Sequence, residues 1–223
     1  MKLYLKNHAE RYPVEQLQLQ LFAQEPSEFC AEPFTGDGTV SSLSRGKRYL
    51  TATAKVTYQG KTGFASNRVL LEKADVRATR RILQRSYYLA ALQVLPAAPP
   101  WGALSGVRPT KLSTKCLMAG GSERDAERLL RQTYFVSPER ARLCVDASRH
   151  TVEAAKKLDA DDLSVYIGIP FCPTRCAYCS FVSQSIERFG EFLPAYLDAL
   201  LREIAHTGAL LKNSGFHIRT LYM

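Results

Sequence analysis

Long apolar runs are missing from this sequence. The most apolar stretch, YYLAALQVLPAAPPWGAL from Tyr87 to Leu104, is interrupted by Gln93 and by Pro96, Pro99 and Pro100. It falls short of the run of about 20 apolar residues that a membrane-spanning helix needs. The opening MKLYLKNHAE has no apolar core of an export signal, so a soluble cytoplasmic protein is the expectation. Glycine and proline are modest, 13 and 11 of 223 residues, which excludes collagen-like and disordered low-complexity classes. Histidine is scarce at 4 residues, which leaves few imidazole ligands for a metal. What remains, 46% hydrophobic and 23% charged residues, is ordinary globular composition, with length for one large domain or two small ones.

Charge is uneven along the chain. Residues 1–85 hold 14 Lys and Arg against 8 Asp and Glu, residues 86–160 hold 11 against 7, and residues 161–223 hold 5 against 6. The excess of +9 therefore belongs to the first two-thirds. A basic region attracts polyanions, whether nucleic acid or a small polycarboxylate, and it equally suits a plain soluble surface.

Local patterning gives a coarse architecture. Lys2 to Lys6 reads as a short strand, and Pro13 opens a helix through Leu17, Leu21 and Phe22. Gly36-Asp37-Gly38 and Ser41-Ser42 mark a loop. Leu50, Ala52, Ala54, Val56 and Tyr58 alternate with polar residues, and Gln59-Gly60 turns this strand into a hairpin through Phe64. A long helix is expected from Ala74 to Leu95, with Arg77, Arg80, Arg81 and Arg85 on its polar side. The prolines after it mark a boundary. Beyond WGALSGVRPTKL (Trp101 to Leu112) come three helical stretches, with Ser122 and Ser137 as caps. LSVYIGI then starts a strand with Leu163, Val165, Ile167 and Ile169 on one face and Ser164, Tyr166 and Gly168 on the other. An amphipathic helix over Phe189 to Leu211 follows, its stripe formed by Leu193, Tyr196, Leu197, Leu200, Leu201 and Ile204, and HIRTLYM is a second strand. Strand, loop, helix and strand make a βαβ unit with a parallel sheet and a right-handed crossover. The expected domains are a basic α+β domain at 1–95, a helical connector at 96–160 and a parallel α/β unit at 161–223.

Six cysteines are present. Cys30, Cys116 and Cys144 are scattered and read as small buried apolar residues. Cys172, Cys176 and Cys179 lie together in IPFCPTRCAYCSF, just after the LSVYIGI strand. A closed zinc site needs a fourth ligand, and His150, His206 and His217 are all distant in sequence. A redox pair made of Cys176 and Cys179 leaves Cys172 without a role. Three thiolates suit a [4Fe–4S] cluster in which one iron lacks a protein ligand and stays open to a small chelating molecule. Ligands of parallel α/β folds sit at the carboxyl ends of strands, where this loop lies. Tyr166, on the strand face away from the helix, points toward that end or fills the interior.

The segment YIGIPFCPTRCAYCSF resembles the cluster motif of radical S-adenosylmethionine (SAM) enzymes. More narrowly, it is similar to the oxygen-independent coproporphyrinogen-III oxidase (coproporphyrinogen dehydrogenase) group. Tyrosine six residues before the first cysteine, Ile-Pro-Phe-Cys, and an aromatic before the third cysteine carry the match. WGALSGVRPTKL behind a basic α/β region narrows it to the HemZ-type branch. The resemblance implies a partial (βα)6 barrel beginning at residue 161. It implies that Cys172, Cys176 and Cys179 ligate the cluster, that Tyr166 contacts SAM, and that the backbone at Tyr178 lies near the adenine. The implied reaction is oxidative decarboxylation of coproporphyrinogen III propionates to vinyl groups in haem biosynthesis, with a porphyrinogen substrate and an electron donor as partners. Arg108 and Lys111 are candidates to receive propionates, or they anchor their own helix. Characterised members carry a fourth cysteine where this chain has Phe181 and histidine where it has Gly168. In the family the RTLYM strand continues into Gly-Gly-Gly-Thr-Pro, so an N-terminal fragment is expected. Two other readings share the scaffold. One is a haem carrier and the other an RNA-modifying enzyme, the latter ranked last for want of an obvious set of exposed aromatics.

Overall fold

A computed structural model describes residues 1–105, 108–174, 176 and 179–223. The chain divides into two compact units, Met1–Glu153 and Ala154–Met223. Both mix helix and strand, so the α/β expectation holds at that level, and the first unit is built on a mixed sheet. Among the described residues, no helix is long and apolar enough to cross a membrane.

The first unit begins with β1 (Lys2–Lys6), α1 (Arg11–Leu21) and β2 (Glu28–Cys30), followed by β3 (Gly38–Arg45), β4 (Tyr49–Tyr58) and β5 (Lys61–Leu70). The sheet order is β2-β1-β3-β4-β5. β1 runs parallel to β2 and β3, while β3, β4 and β5 are mutually antiparallel. Gln59 and Gly60 form the two-residue turn of the β4–β5 hairpin, with φ of 49° and 75°. Two successive positive φ values match the twist of the flanking strands, and a glycine at the second place relieves the strain. Helix α2 (Val76–Ala91) starts at Asp75, whose carboxylate accepts from the Ala78 amide at 2.6 Å. Leu50, Ala52, Ala54 and Val56 share one buried core with Leu3, with Val14 and Leu17 of α1 and with Ile82, Leu83, Tyr87 and Tyr88 of α2. Gly63 lets α2 approach, since a Cβ there would overlap the Ala90 carbonyl.

Ser41-Ser42 departs from the loop expectation. Both serines lie inside β3, Ser41 fully buried and Ser42 bonded through its hydroxyl to Thr53 across the strand pair. Thr53 of β4 partners the Ser42 hydroxyl and His8, in the β1–α1 connection, partners that of Ser41, which removes the penalty that short polar residues otherwise bring to a strand.

The remainder of the first unit is helical: α3 (Pro109–Met118), α4 (Glu123–Arg128) with a wider turn at Leu129–Thr133, and α5 (Pro138–Ala155), which ends just past the unit boundary. Ser122 and Asp125 form the expected reciprocal cap, and the Ser137 hydroxyl accepts from the Arg140 amide at 3.3 Å. Leu104, Leu130, Val136, Ala141 and Cys144 make a second buried core. Between α3 and α5, the buried hydroxyls of Ser113 and Ser148 lie 2.7 Å apart; one donates to the other, which donates in turn to a backbone carbonyl, of Thr110 or Cys144, so neither is an unsatisfied polar group.

The second unit holds β6 (Asp162–Tyr166), β7 (Phe171–Cys172), β8 (Gln184–Ser185), the short α6 (Ile186–Phe189), α7 (Leu193–Lys212) and β9 (His217–Tyr222). β6 and β9 pair in parallel, as the βαβ pattern requires. The leucine stripe expected to be buried on α7 is not: Leu197, Leu201 and Ile204 are exposed, and only Leu193, Tyr196 and Leu200 are half-buried. Periodicity identifies the apolar side of a helix but not what covers it.

Candidate functional site

The cysteine loop leaves the carboxyl end of β6. Alternation along that strand makes Leu163 and Val165 half-buried and exposes Ser164 and Tyr166. Pairing with β9 extends past Tyr166, because the Ile167 amide donates to the Tyr222 carbonyl at 2.9 Å. Tyr166 and Tyr222 are register partners on adjacent parallel strands, and their rings stack with centroids 5.5 Å apart and planes at 14°. Gly168 follows closely: a Cβ there would come 3.1 Å from Cε1 of the Tyr166 ring.

Two short strands brace what comes next. β7 pairs with β8, and the Gln184 amide donates to the Pro170 carbonyl at 2.6 Å. Cys172 is half-buried on β7, and its thiol donates to the Thr174 carbonyl at 2.6 Å. Cys176 is exposed and Cys179 half-buried, with the Cys179 amide bonded to the Cys176 carbonyl at 3.0 Å. These three residues are free cysteines.

A cavity of about 590 Å³ opens beside the loop, lined by Tyr166, Cys172, Cys179, Phe181, Tyr196 and Tyr222 among others. The structure therefore brings two of the three cysteines and Tyr166 to one cavity, while Cys176 is not part of its lining. Tyr178 lies outside the described residues. Among the described residues no three histidine, cysteine or acidic side chains converge as a metal site. The donor chemistry nonetheless fits an iron–sulfur cluster: among the described residues the cavity lining offers the thiols of Cys172 and Cys179 amid aromatic and aliphatic side chains, with no carboxylate, imidazole or cationic side chain in that lining. None of the histidines lines it either, so no imidazole is at hand there to complete a zinc site.

Tyr196 and Tyr222 are site residues that sequence reasoning missed. Periodicity puts Tyr196 on the helix stripe, yet its hydroxyl donates to the Gly168 carbonyl and its ring tilts against Phe171 at 5.3 Å. Tyr222 was legible in principle, because counting register from the βαβ unit sets it opposite Tyr166. Arg108 and Lys111 lie in the first unit. Both are exposed, Arg108 as the N-cap of α3, and with Lys115 they line an open groove of about 740 Å³.

The chain is 31% identical over 216 residues to the oxygen-independent coproporphyrinogen-III oxidase-like protein HemZ of Bacillus subtilis (strain 168). The alignment covers 93% of this chain and 41% of that protein, so the chain spans about two-fifths of its relative's length. No family model matches the chain, and no solved structure matches it. Along nearly its whole length the chain is thus similar to an oxygen-independent coproporphyrinogen-III oxidase-like protein, the group that its cysteine segment and its Trp101–Leu112 segment resemble.

Proposed function

We propose that this chain carries the cluster loop of a radical SAM oxidoreductase that converts propionate side chains of coproporphyrinogen III to vinyl groups. The observation that carries the reading is the joint lining of one cavity by Cys172, Cys179 and Tyr166 at the carboxyl end of β6. Cys172, Cys176 and Cys179 would hold a [4Fe–4S] cluster as thiolates. Bound there, the cluster and SAM supply one-electron reduction and hydrogen abstraction. The chain's own residues prepare the place. Ligation takes the proton from the Cys172 thiol and ends its bond to the Thr174 carbonyl. Tyr166, flanked by Tyr222, offers an aromatic face and a hydroxyl to SAM. Phe181 and Val182, 80% and 90% exposed, offer apolar surface that would exclude water once a ligand covers them. Each propionate converted loses a hydrogen atom, an electron and carbon dioxide, so the reaction needs an electron acceptor besides the donor that reduces the cluster.

The test is anaerobic reconstitution of the full-length protein with iron and sulfide, since the 223-residue chain alone is expected to show no turnover. Addition of SAM should alter the electron paramagnetic resonance (EPR) spectrum of the reduced cluster, and turnover should release 5′-deoxyadenosine while consuming coproporphyrinogen. Deoxyadenosine without porphyrinogen loss rejects the substrate and keeps the class. A bound zinc ion, or a cluster indifferent to SAM, rejects the class.

A further inference from the structure

We infer that Tyr196 is a positioning residue for the cysteine loop, acting through the backbone of Gly168; the inference rests on reading that loop as the cluster site. Tyr196 lies in the first turn of α7, and it reaches across to the segment that joins β6 to Cys172. Its hydroxyl donates to the Gly168 carbonyl, and its ring meets Phe171, the residue directly before Cys172, at 5.3 Å. One side chain thus grips the connection at two points, four residues and one residue ahead of the first ligand. The grip matters because little else holds this stretch. Ile167 is tied to β9 and Pro170 to Gln184, but Pro170 has no amide to donate, and Ile169 is 46% exposed. The Gly168 carbonyl has left the ladder at the strand end, and the tyrosine supplies the partner that such a group needs. α7 runs for 20 residues, so the tyrosine is carried on regular helix rather than on the loop that it holds. Tyr196 touches neither iron nor substrate in this scheme. It sets where the Cys172 sulfur stands relative to Tyr166 across the shared cavity.

Two substitutions separate the bond from general packing. Tyr196→Phe removes the hydroxyl and keeps the ring against Phe171. Leu200→Ala loosens the same helix face one turn along and keeps the bond. In the metal-free 223-residue chain, alkylation rates of Cys172 and Cys176 are followed by mass spectrometry. Tyr196→Phe is expected to speed alkylation of Cys172 about fivefold, the ratio for one hydrogen bond of typical net strength, with Cys176 unchanged. Leu200→Ala should leave both rates near those of the parent. In anaerobically reconstituted protein, Tyr196→Phe should change the EPR line shape of the reduced cluster while circular dichroism stays parental. Equal Cys172 rates in Tyr196→Phe and the parent overturn the inference. So do equal effects of the two substitutions, since these would mean that only packing on α7 matters. A parent that takes up no iron rejects the cluster reading instead, and the alkylation rates then judge the grip on Cys172 by themselves.

Discussion

His8 shows how a single residue ties folding to pH. Its Nε2 lies 3.2 Å from the Ser41 hydroxyl and 3.3 Å from the Ser41 carbonyl, while Nδ1 is buried without a partner among the described residues. Burial holds the imidazole below its ordinary 6.5, outweighing the Ser41 bond and the nearby Glu10 charge, both of which pull it up. The unfolded chain therefore takes up this proton at higher pH than the folded one. The stabilisation is complete above about pH 6.5 and is lost as pH falls through that value toward the lower folded one. Melting temperature should drop on going from about pH 7 to about pH 5, and His8→Gln should flatten that drop; parallel curves would remove His8 as the cause. Gly168 makes a second case. With Ala in its place, the new Cβ at 3.1 Å pushes the Tyr166 ring, which is 70% exposed and free to swing outward. Stability should change by less than about 0.5 kcal/mol, as at an ordinary surface position. The stack on Tyr222 should weaken, visible as a smaller tyrosine signal in near-ultraviolet circular dichroism.

At the scale of elements, what was legible depended on whether the determining contacts were local. The β4–β5 hairpin is written in strict alternation plus Gln59-Gly60, and it forms where expected. The Ser122 cap and the parallel pair β6–β9 were equally readable. β2 was not, since three residues with no buried side chain become a strand only because β1 offers an edge. Ser41 and Ser42 look like loop in the sequence because their partners, His8 and Thr53, are remote along the chain. In the candidate site, spacing alone singles out the cysteine segment, of which Cys172 and Cys179 line the cavity, whereas Tyr196 is hidden because its partner is a backbone carbonyl on another element. Asp75 offers a test of local control. Asp75→Ala leaves the Ala78 amide without its 2.6 Å partner, and loss of an N-cap costs about 1 kcal/mol. Urea unfolding followed by helical circular dichroism should show this loss, and an unchanged midpoint would mean that packing of α2 on the sheet fixes the helix start by itself.

The whole molecule is uneven in how firmly it is held. The first unit has two buried cores, one between sheet and helices and one among α3, α4 and α5. In the second unit no described residue is buried, and every residue of β9 is exposed. Apolar side chains that stay in contact with water contribute little of the roughly 25 cal/mol per Å² that burial supplies, so backbone pairing and a few half-buried contacts carry residues 154–223. The candidate site thus stands on the less stable part of the chain, where opening costs least. Limited proteolysis of the metal-free chain should cut within 154–223 first and leave a resistant body close to Met1–Glu153. Iron and sulfide bound by Cys172, Cys176 and Cys179 would favour the ordered form by mass action, so anaerobic reconstitution should slow those cuts and leave the resistant body unchanged. Cys172→Ala removes a proposed ligand, half-buried on β7, and should abolish that protection. Equal cleavage with and without iron would show that the loop does not order around metal, and first cuts within 1–153 would show that stability does not follow burial here.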